Sequence, residues 1–202
     1  MIFNRLGIFG VDPADEKAIF AGMLLGDPIL LIGPHGSAKT ELGKTVAIAL
    51  QEYSKEKSPI NESVAAKIES TGILPDNWFK FATYDCSKMQ FEEIIGFPNP
   101  STFQDGYVSY VASPVTVWGK EMVILDEFNR QSSTQQNSLF ELIRSRTIYG
   151  QPTGTKMIFG AMNPFGMEGT EVLDEALVDR MCMFIYTKGF EKLDDEVKES
   201  II

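Results

Sequence analysis

The sequence contains few of the residues on which secreted, metal-rich and membrane proteins depend. Among 202 residues it has two cysteines, Cys86 and Cys182, and one histidine, His35. Two separated cysteines form no disulfide framework and no metal-ligand pattern, which favours a reducing compartment. No apolar run approaches the roughly 18 residues of a membrane-spanning helix, and the N-terminus lacks the layout of a secretion signal. We therefore expect a cytoplasmic protein without a membrane partner.

Positive charge is scarce as well. Lysine and arginine number 18 against 28 aspartate and glutamate residues, so the net charge is −10. This excess of negative charge argues against a broad nucleic-acid-binding surface. Hydrophobic residues make up 44 % of the chain, which is typical of a folded domain rather than of a disordered segment.

Short apolar segments alternate along the chain with helical patterns. Residues 29–32 are fully apolar, as expected of a buried parallel strand, and further strands are predicted at 79–84, 122–125, 157–162 and 183–186. The alternation predicts an α/β fold with a parallel sheet covered on both faces. Ser87 and Gln90 have capping-box spacing and are expected to open a short helix. An Asp105-Gly106 turn followed by residues 107–111 predicts an inserted β-hairpin.

A glycine-rich segment follows the first strand. Its residues are Gly33, Pro34, His35, Gly36, Ser37, Ala38, Lys39 and Thr40. They fit the phosphate-loop pattern G-x-x-x-x-G-K-[ST], except that Ala38 replaces the last glycine, a costly change if its φ is positive. In such a loop backbone N–H groups bind phosphate, Lys39 neutralises the β- and γ-phosphates of ATP, and Thr40 binds Mg²⁺. A glycine-rich turn followed by a surface lysine is the alternative.

Polar residues also end two later strands. Asp126 and Glu127 follow the strand at 122–125, where Asp126 can hold Mg²⁺ and Glu127 can orient or deprotonate an attacking water. Taken alone, two acids at this position fit the start of a charged loop equally well. Asn163 ends the strand at 157–162 and can hydrogen-bond a water or the γ-phosphate, although Asn-Pro is also a common turn initiator.

Arg180 precedes the last predicted strand. A guanidinium that reaches a neighbouring subunit's phosphate site would stabilise charge in the transition state, and pairing with Asp179 or Asp174 is the alternative. His35 has no catalytic partner at a telling spacing and is expected to fill the loop. Four aromatic residues form either a small core beneath the hairpin or an exposed ring that grips a partner: Phe97, Phe103, Tyr107 and Tyr110.

Together these segments resemble the AAA+ ATPases, and among them the MoxR-like branch. The similarity rests on the phosphate loop and on the segments 125–130, 136–146, 161–164, 168–170 and 176–180. By this resemblance Lys39 and Thr40 are the Walker A pair, and Asp126 and Glu127 are the Walker B pair. Asn163 is the first sensor and Arg180 the arginine finger.

The resemblance also implies an architecture. We expect a P-loop NTPase αβα sandwich with the five strands in the order 5-1-4-3-2, residues 1–190 forming the ATPase core. Residues around 96–112 resemble the insert in helix 2, which lies near the ring pore in relatives, and Thr147–Lys156 resembles the hairpin before sensor 1. Residues 191–202 are expected to start a linker or lid helix, since the chain ends before the family's helical lid. Arg144 and Arg146 are secondary candidates for an intersubunit contact.

These features predict an ATPase that takes ATP and Mg²⁺ at an intersubunit site. The resemblance implies a homo-oligomer, a hexameric ring by analogy, that remodels or assembles an unidentified protein client. A nucleotide-gated binding module or assembly chaperone with negligible turnover is the alternative. A nucleic-acid motor is disfavoured by the net charge.

Overall fold

A five-stranded parallel sheet is at the centre of the fold. The computed structural model describes residues 2–131, 133–166, 172–173, 175–199 and 201. In this part of the chain the strands are β1 (Ile29–Ile32), β2 (Phe81–Asp85), β3 (Phe97–Pro98), β4 (Tyr110–Val111), β5 (Met122–Asp126), β6 (Thr147–Ile148), β7 (Gln151–Pro152), β8 (Met157–Met162) and β9 (Met183–Tyr186). The helices are α1 (Ile2–Arg5), α2 (Pro13–Leu25), α3 (Lys39–Lys57), α4 (Glu62–Thr71), α5 (Phe91–Ile95), α6 (Ser133–Ser145), α7 (Glu175–Val178) and α8 (Asp195–Glu199). Short 3₁₀ helices lie at Pro100–Asp105, Phe128–Arg130 and Phe190–Lys192.

The central sheet has the order β2-β5-β8-β1-β9, and each neighbouring pair is parallel. This is the order predicted from the sequence. In β1, Ile29 and Leu31 contribute to one hydrophobic cluster, and Leu30 and Ile32 contribute to another. Both faces of the strand are therefore covered, which explains why β1 carries no polar residue.

The helix after β2 begins later than its sequence predicts. The N-cap of α5 is Gln90, which forms a capping box with Glu93. The predicted box between Ser87 and Gln90 is wrong, because Ser87 is already engaged with Asp85. The backbone N–H of Ser87 donates to Asp85 Oδ1 at 3.1 Å, and its hydroxyl donates to the same oxygen at 2.5 Å.

The insert is built differently from the predicted hairpin. β3 and β4 pair in antiparallel fashion, but residues 99–109 connect them through a 3₁₀ helix instead of a tight turn. Asn99 accepts a hydrogen bond from the Ser101 N–H at 3.2 Å, and the proline that follows Asn99 suits a helical start. Gly106, at φ +78°, ends this helix. The chain does turn at Gly106, as predicted, but this turn ends a 3₁₀ helix and does not join the two strands directly.

The aromatic residues of the insert are mostly exposed to solvent. Phe97, Phe103 and Tyr107 are each more than half exposed. Tyr110 is half-buried and stacks on Tyr149, with 6.0 Å between ring centroids. Of the two sequence interpretations, the exposed ring describes three of the four residues.

A second hairpin, β6–β7, is held by one carboxylate of α6. Glu141 accepts hydrogen bonds from the Thr147 hydroxyl at 2.7 Å, the Gly150 N–H at 2.8 Å and the Tyr149 N–H at 2.9 Å. The Thr147 hydroxyl and then the Gly150 N–H lower the pKa of Glu141, although partial desolvation opposes them. This hairpin lies within the segment predicted to precede sensor 1.

The last described segment packs back on the N-terminal part of the chain. A Cβ added to Gly10 would lie 2.6 Å from Leu193 Cδ2. The predicted division of the chain at residue 190 stays a prediction. Among the described residues, no helix is both long enough and apolar enough to cross a membrane.

Candidate functional site

Three strand ends form a cleft at one edge of the central sheet. β1, β5 and β8 are parallel, so their carboxyl ends lie side by side at the edge where α/β sheets place ligands. The cleft has a volume of about 270 Å³ and is lined by His35, Gly36, Ser37, Ala38, Lys39, Thr40, Glu41, Asp126, Glu127, Ala161, Met162 and Asn163. Most of the predicted site residues meet here. Arg180 does not line this cleft.

The phosphate loop has a strained backbone at one position. Ala38 is the N-cap of α3 and has φ +56°, in the left-handed region. Alanine in place of glycine therefore costs about 1–2 kcal/mol in backbone strain at this position. At the start of the loop only glycine fits, because a Cβ on Gly33 would lie 2.0 Å from Thr187 Oγ1.

The Lys39 ammonium group is buried beneath the loop. Its Nζ donates to the carbonyls of Gly33 and Pro34, each at 2.8 Å, and lies 3.4 Å from Asn163 Oδ1. Burial lowers the pKa of Lys39, and the nearby carboxylates of Glu127 and Asp126 act in the opposite direction. Since backbone carbonyls are its main partners, this ammonium can exchange them for phosphate oxygens.

Thr40 and Asp126 place two oxygen ligands together. The Thr40 hydroxyl donates to Asp126 Oδ1 at 2.6 Å, and the backbone N–H of Glu127 donates to the same oxygen at 2.9 Å. Hydroxyl and carboxylate oxygens are ligands that Mg²⁺ takes alongside water and substrate phosphates. The donor set therefore fits Mg²⁺ bound together with a nucleotide.

Glu127 is held by two neighbours. Its backbone is left-handed, at φ +51°, and it begins the 3₁₀ turn Phe128–Arg130. Glu127 Oε2 lies 2.5 Å from Arg130 Nε and accepts a hydrogen bond from Asn163 Nδ2 at 3.2 Å. Sequence reasoning missed Arg130, because its contact depends on a 3₁₀ turn that no sequence pattern predicted.

With this geometry in place, sequence comparison gives the family. Residues 28–181 match the family described as AAA domain, dynein-related subfamily. The chain belongs to this AAA family. The match confirms the AAA+ ATPase family predicted from the residues, and with it a nucleotide as the class of ligand.

Two solved structures share the fold of this AAA domain. A presumed ATPase from Cytophaga hutchinsonii is 22 % identical, with a TM-score of 0.59 and coverage of 99 % of this chain and 52 % of its own. NtrX from Brucella abortus, solved in complex with ADP, is 14 % identical, with a TM-score of 0.52 and coverage of 86 % and 34 %. This chain spans about half the length of the first and a third of the second. No curated protein matches the sequence.

Arg180 lies at the opposite edge of the AAA domain from the phosphate loop. The Cys182 N–H donates to the Pro28 carbonyl at 3.1 Å, at the amino end of β1, whereas the loop leaves its carboxyl end. A four-residue strand spans about 13 Å. The guanidinium stacks on Phe140, 4.9 Å from the ring centroid, and within the described part of the chain it forms no ion pair with Asp179. Asp174, the other predicted partner, lies outside the described residues, as does the segment 168–170 of the family resemblance.

Sequence reasoning also missed a second cleft beside the phosphate loop. It has a volume of about 250 Å³, and its lining includes the loop residues Gly36, Ser37 and Ala38. The other wall comes from the N-terminal segment at 7–9 and from Lys188, Phe190, Leu193 and Ile201. The Ser37 and Thr187 hydroxyls lie 2.8 Å apart and join the loop to the segment after β9. No motif marks these residues, because the cleft forms only where segments that are distant in the sequence meet in the folded chain.

Arg146 is engaged inside its own chain. Its guanidinium donates to the Ile143 carbonyl and, at 2.7 Å, to the Gly26 carbonyl. Burial lowers the pKa of Arg146. These contacts oppose its use in an intersubunit contact. Arg144, by contrast, is exposed, and its predicted role stays a prediction.

Proposed function

We propose that this AAA domain hydrolyses ATP in the cleft at the ends of β1, β5 and β8. The supporting observation is the meeting in one cleft of an ammonium group, a hydroxyl–carboxylate pair and a second carboxylate: Lys39, Thr40, Asp126 and Glu127. Phosphoryl transfer to water depends on positioning and charge neutralisation rather than on covalent chemistry with the protein. These side chains supply both.

Each group has one task in this proposal. The loop N–H groups and Lys39 bind the β- and γ-phosphates, and Lys39 gives up its carbonyl partners to do so. Mg²⁺, held by Thr40 and Asp126, neutralises phosphate charge when it is bound. Glu127 accepts the proton of the attacking water, and Asn163 orients that water or the γ-phosphate. Glu127 is the general base.

The decisive variant is Glu127→Gln, which keeps the shape of the side chain and removes its basicity. We expect phosphate release to fall by about 10²- to 10⁴-fold, the range that general-base catalysis contributes, with ADP affinity unchanged. Glu69→Gln, on an exposed position of α4, is the matched control. Full turnover in Glu127→Gln would remove the assigned base.

We further propose that the site is completed by a neighbouring subunit. Support comes from the position of Arg180, which lies at the other end of β1 from its own phosphate loop. A guanidinium there serves a nucleotide only across a contact between two copies of the chain. By family analogy the assembly is a ring of six, and the energy of hydrolysis remodels a protein partner.

A nucleotide-gated binding module is the second candidate function. It is favoured by the Ser37–Thr187 contact, through which loop occupancy reaches the segment after β9 without any hydrolysis. A full-length protein that binds ATP tightly but releases no phosphate would establish this alternative in place of the ATPase.

A further inference from the structure

One oxygen of the Glu127 carboxylate carries all of its described side-chain contacts. Oε2 lies 2.5 Å from Arg130 Nε and 3.2 Å from Asn163 Nδ2. Oε1 accepts no hydrogen bond from the described residues. The two oxygens are therefore unequal: protein groups hold one, and the other is left for a ligand of the cleft that Glu127 lines.

The turn that carries both residues is anchored in the core. Phe128 and Asn129, between Glu127 and Arg130, are fully buried. Asn129 Nδ2 donates to the Asn163 carbonyl at 3.0 Å, which ties the turn to the end of β8. The Glu127–Arg130 pair thus sits on a fixed support and does not depend on two long flexible side chains meeting by chance.

Arg130 also reaches the phosphate loop. Its terminal Nη2 lies 3.5 Å from His35 Nε2, and its side chain is 30 % exposed. One guanidinium therefore touches the acid of the strand end and the loop that precedes α3. The contact of Arg130 Nε with Glu127 Oε2 is an ion pair, since Nε makes no hydrogen bond with the described residues.

We propose that Arg130 is a positioning residue for hydrolysis, an inference that rests on the ATPase function proposed above. Arg130 and Asn163 fix Oε2, so that Oε1 is the oxygen that receives the proton. In the step, the water oxygen bonds to the γ-phosphorus and its proton passes to Glu127 Oε1. The bond from the γ-phosphorus to the bridging oxygen breaks, and the electron pair leaves with ADP.

The test replaces Arg130 in the full-length protein by Gln and by Lys, with the exposed Arg5→Gln as control. We expect Arg130→Gln to lower kcat by about 10- to 100-fold, the loss typical of groups that orient a reacting side chain. The KM for ATP and the affinity for ADP should change by less than about twofold, because Arg130 holds Glu127 and not the nucleotide. Arg130→Lys, which keeps one donor, should recover part of the lost kcat.

A double variant separates positioning from other effects. If Arg130 acts through Glu127, then adding Arg130→Gln to Glu127→Gln lowers the residual rate no further. An independent, multiplicative loss in the double variant overturns the proposal, and so does an unchanged or increased kcat in Arg130→Gln. An increase would identify Arg130 as a restraint on Glu127 instead.

Two further outcomes are distinguishable. Full turnover in Glu127→Gln alone would defeat the proposed function itself, whatever Arg130 does. If Arg130→Gln lowers Tm by more than about 5 °C, Arg130→Lys decides. The proposal then stands only if Arg130→Lys lowers kcat while KM and Tm stay the same.

Discussion

At the residue scale, the phosphate loop combines a good pattern with an unfavourable backbone. Ala38 holds φ +56° where a glycine would be unstrained. The sequence pattern could predict the loop, because it depends on neighbouring residues only. It could not predict the sign of φ at Ala38, which is set by the way β1 enters α3.

Replacing Ala38 by glycine should stabilise the domain. Relief of the left-handed strain, about 1–2 kcal/mol, exceeds the extra chain entropy that glycine brings to the unfolded state. We expect the free energy of unfolding to rise by about 0.5–1 kcal/mol, measured by urea denaturation. The opposite sign is expected for Ala66→Gly, at an exposed position inside α4, which should lose about 1 kcal/mol. A loss at both positions would contradict the strain.

The residues expected to act on the nucleotide were easier to predict from the sequence than Arg130, the residue that holds one of them in place. Lys39, Thr40, Asp126, Glu127 and Asn163 all lie where strands end, and parallel strands bring such ends together. Arg130 escaped prediction because its contact with Glu127 depends on a 3₁₀ turn, and its contact with His35 joins residues far apart in the chain.

At the element scale, the two hairpins contrast in how they are fixed. The sequence of the insert contains an Asp-Gly pair, which by itself favours a tight turn. Asn99 and Pro100 override it by starting a 3₁₀ helix earlier in the chain. The β6–β7 hairpin instead depends on Glu141, a residue outside the hairpin that local turn chemistry does not reveal.

The hairpin should therefore loosen when Glu141 loses its charge. Glu141→Gln removes a charged acceptor of three hydrogen bonds, and we expect a loss of about 1 kcal/mol in the free energy of unfolding at pH 7. Amide hydrogen exchange at Tyr149 and Gly150 should accelerate in the variant. Glu69→Gln, on the exposed face of α4, should change neither quantity.

The effect of Glu141→Gln has a definite dependence on pH. The pKa of Glu141 is lower in the folded protein than in the unfolded chain, so its stabilisation is fully present above the ordinary pKa of 4.5. It is lost as the pH falls through the lowered folded pKa. The difference in stability between the native protein and Glu141→Gln should therefore shrink on acidification below pH 4.5. A difference that grows on acidification would contradict the assignment.

At the scale of the whole molecule, the phosphate loop and Arg180 lie at opposite ends of one short strand. The alternation of strands and helices predicted the parallel sheet, and the resemblance to the AAA+ ATPases implied the order of its five strands, which the structure has. No single sequence can tell which surface of a second copy comes to meet the loop.

Turnover should accordingly depend on assembly. We expect phosphate release per subunit to rise with protein concentration, since dilution separates the two parts of the site. Arg180→Ala should lower kcat by about 10³-fold or more, with ADP binding retained. Arg5→Ala is the control for the loss of an arginine. A rate per subunit that is independent of concentration, over a range in which the protein dissociates, would exclude a shared site.

In the proposed assembly, the separation along β1 gives each copy two unlike faces, one with the phosphate loop and one with Arg180. Copies that join one face to the opposite face of the next copy form a head-to-tail contact. Such a contact generates a closed ring only when the rotation between successive copies adds up to a full turn. In that ring, a subunit with a substituted Arg180 keeps every group of its own cleft, whereas the cleft of the adjacent subunit lacks the arginine. A mutation of Arg180 would therefore lower ATP hydrolysis in the neighbouring subunit and not in the subunit that carries the mutation.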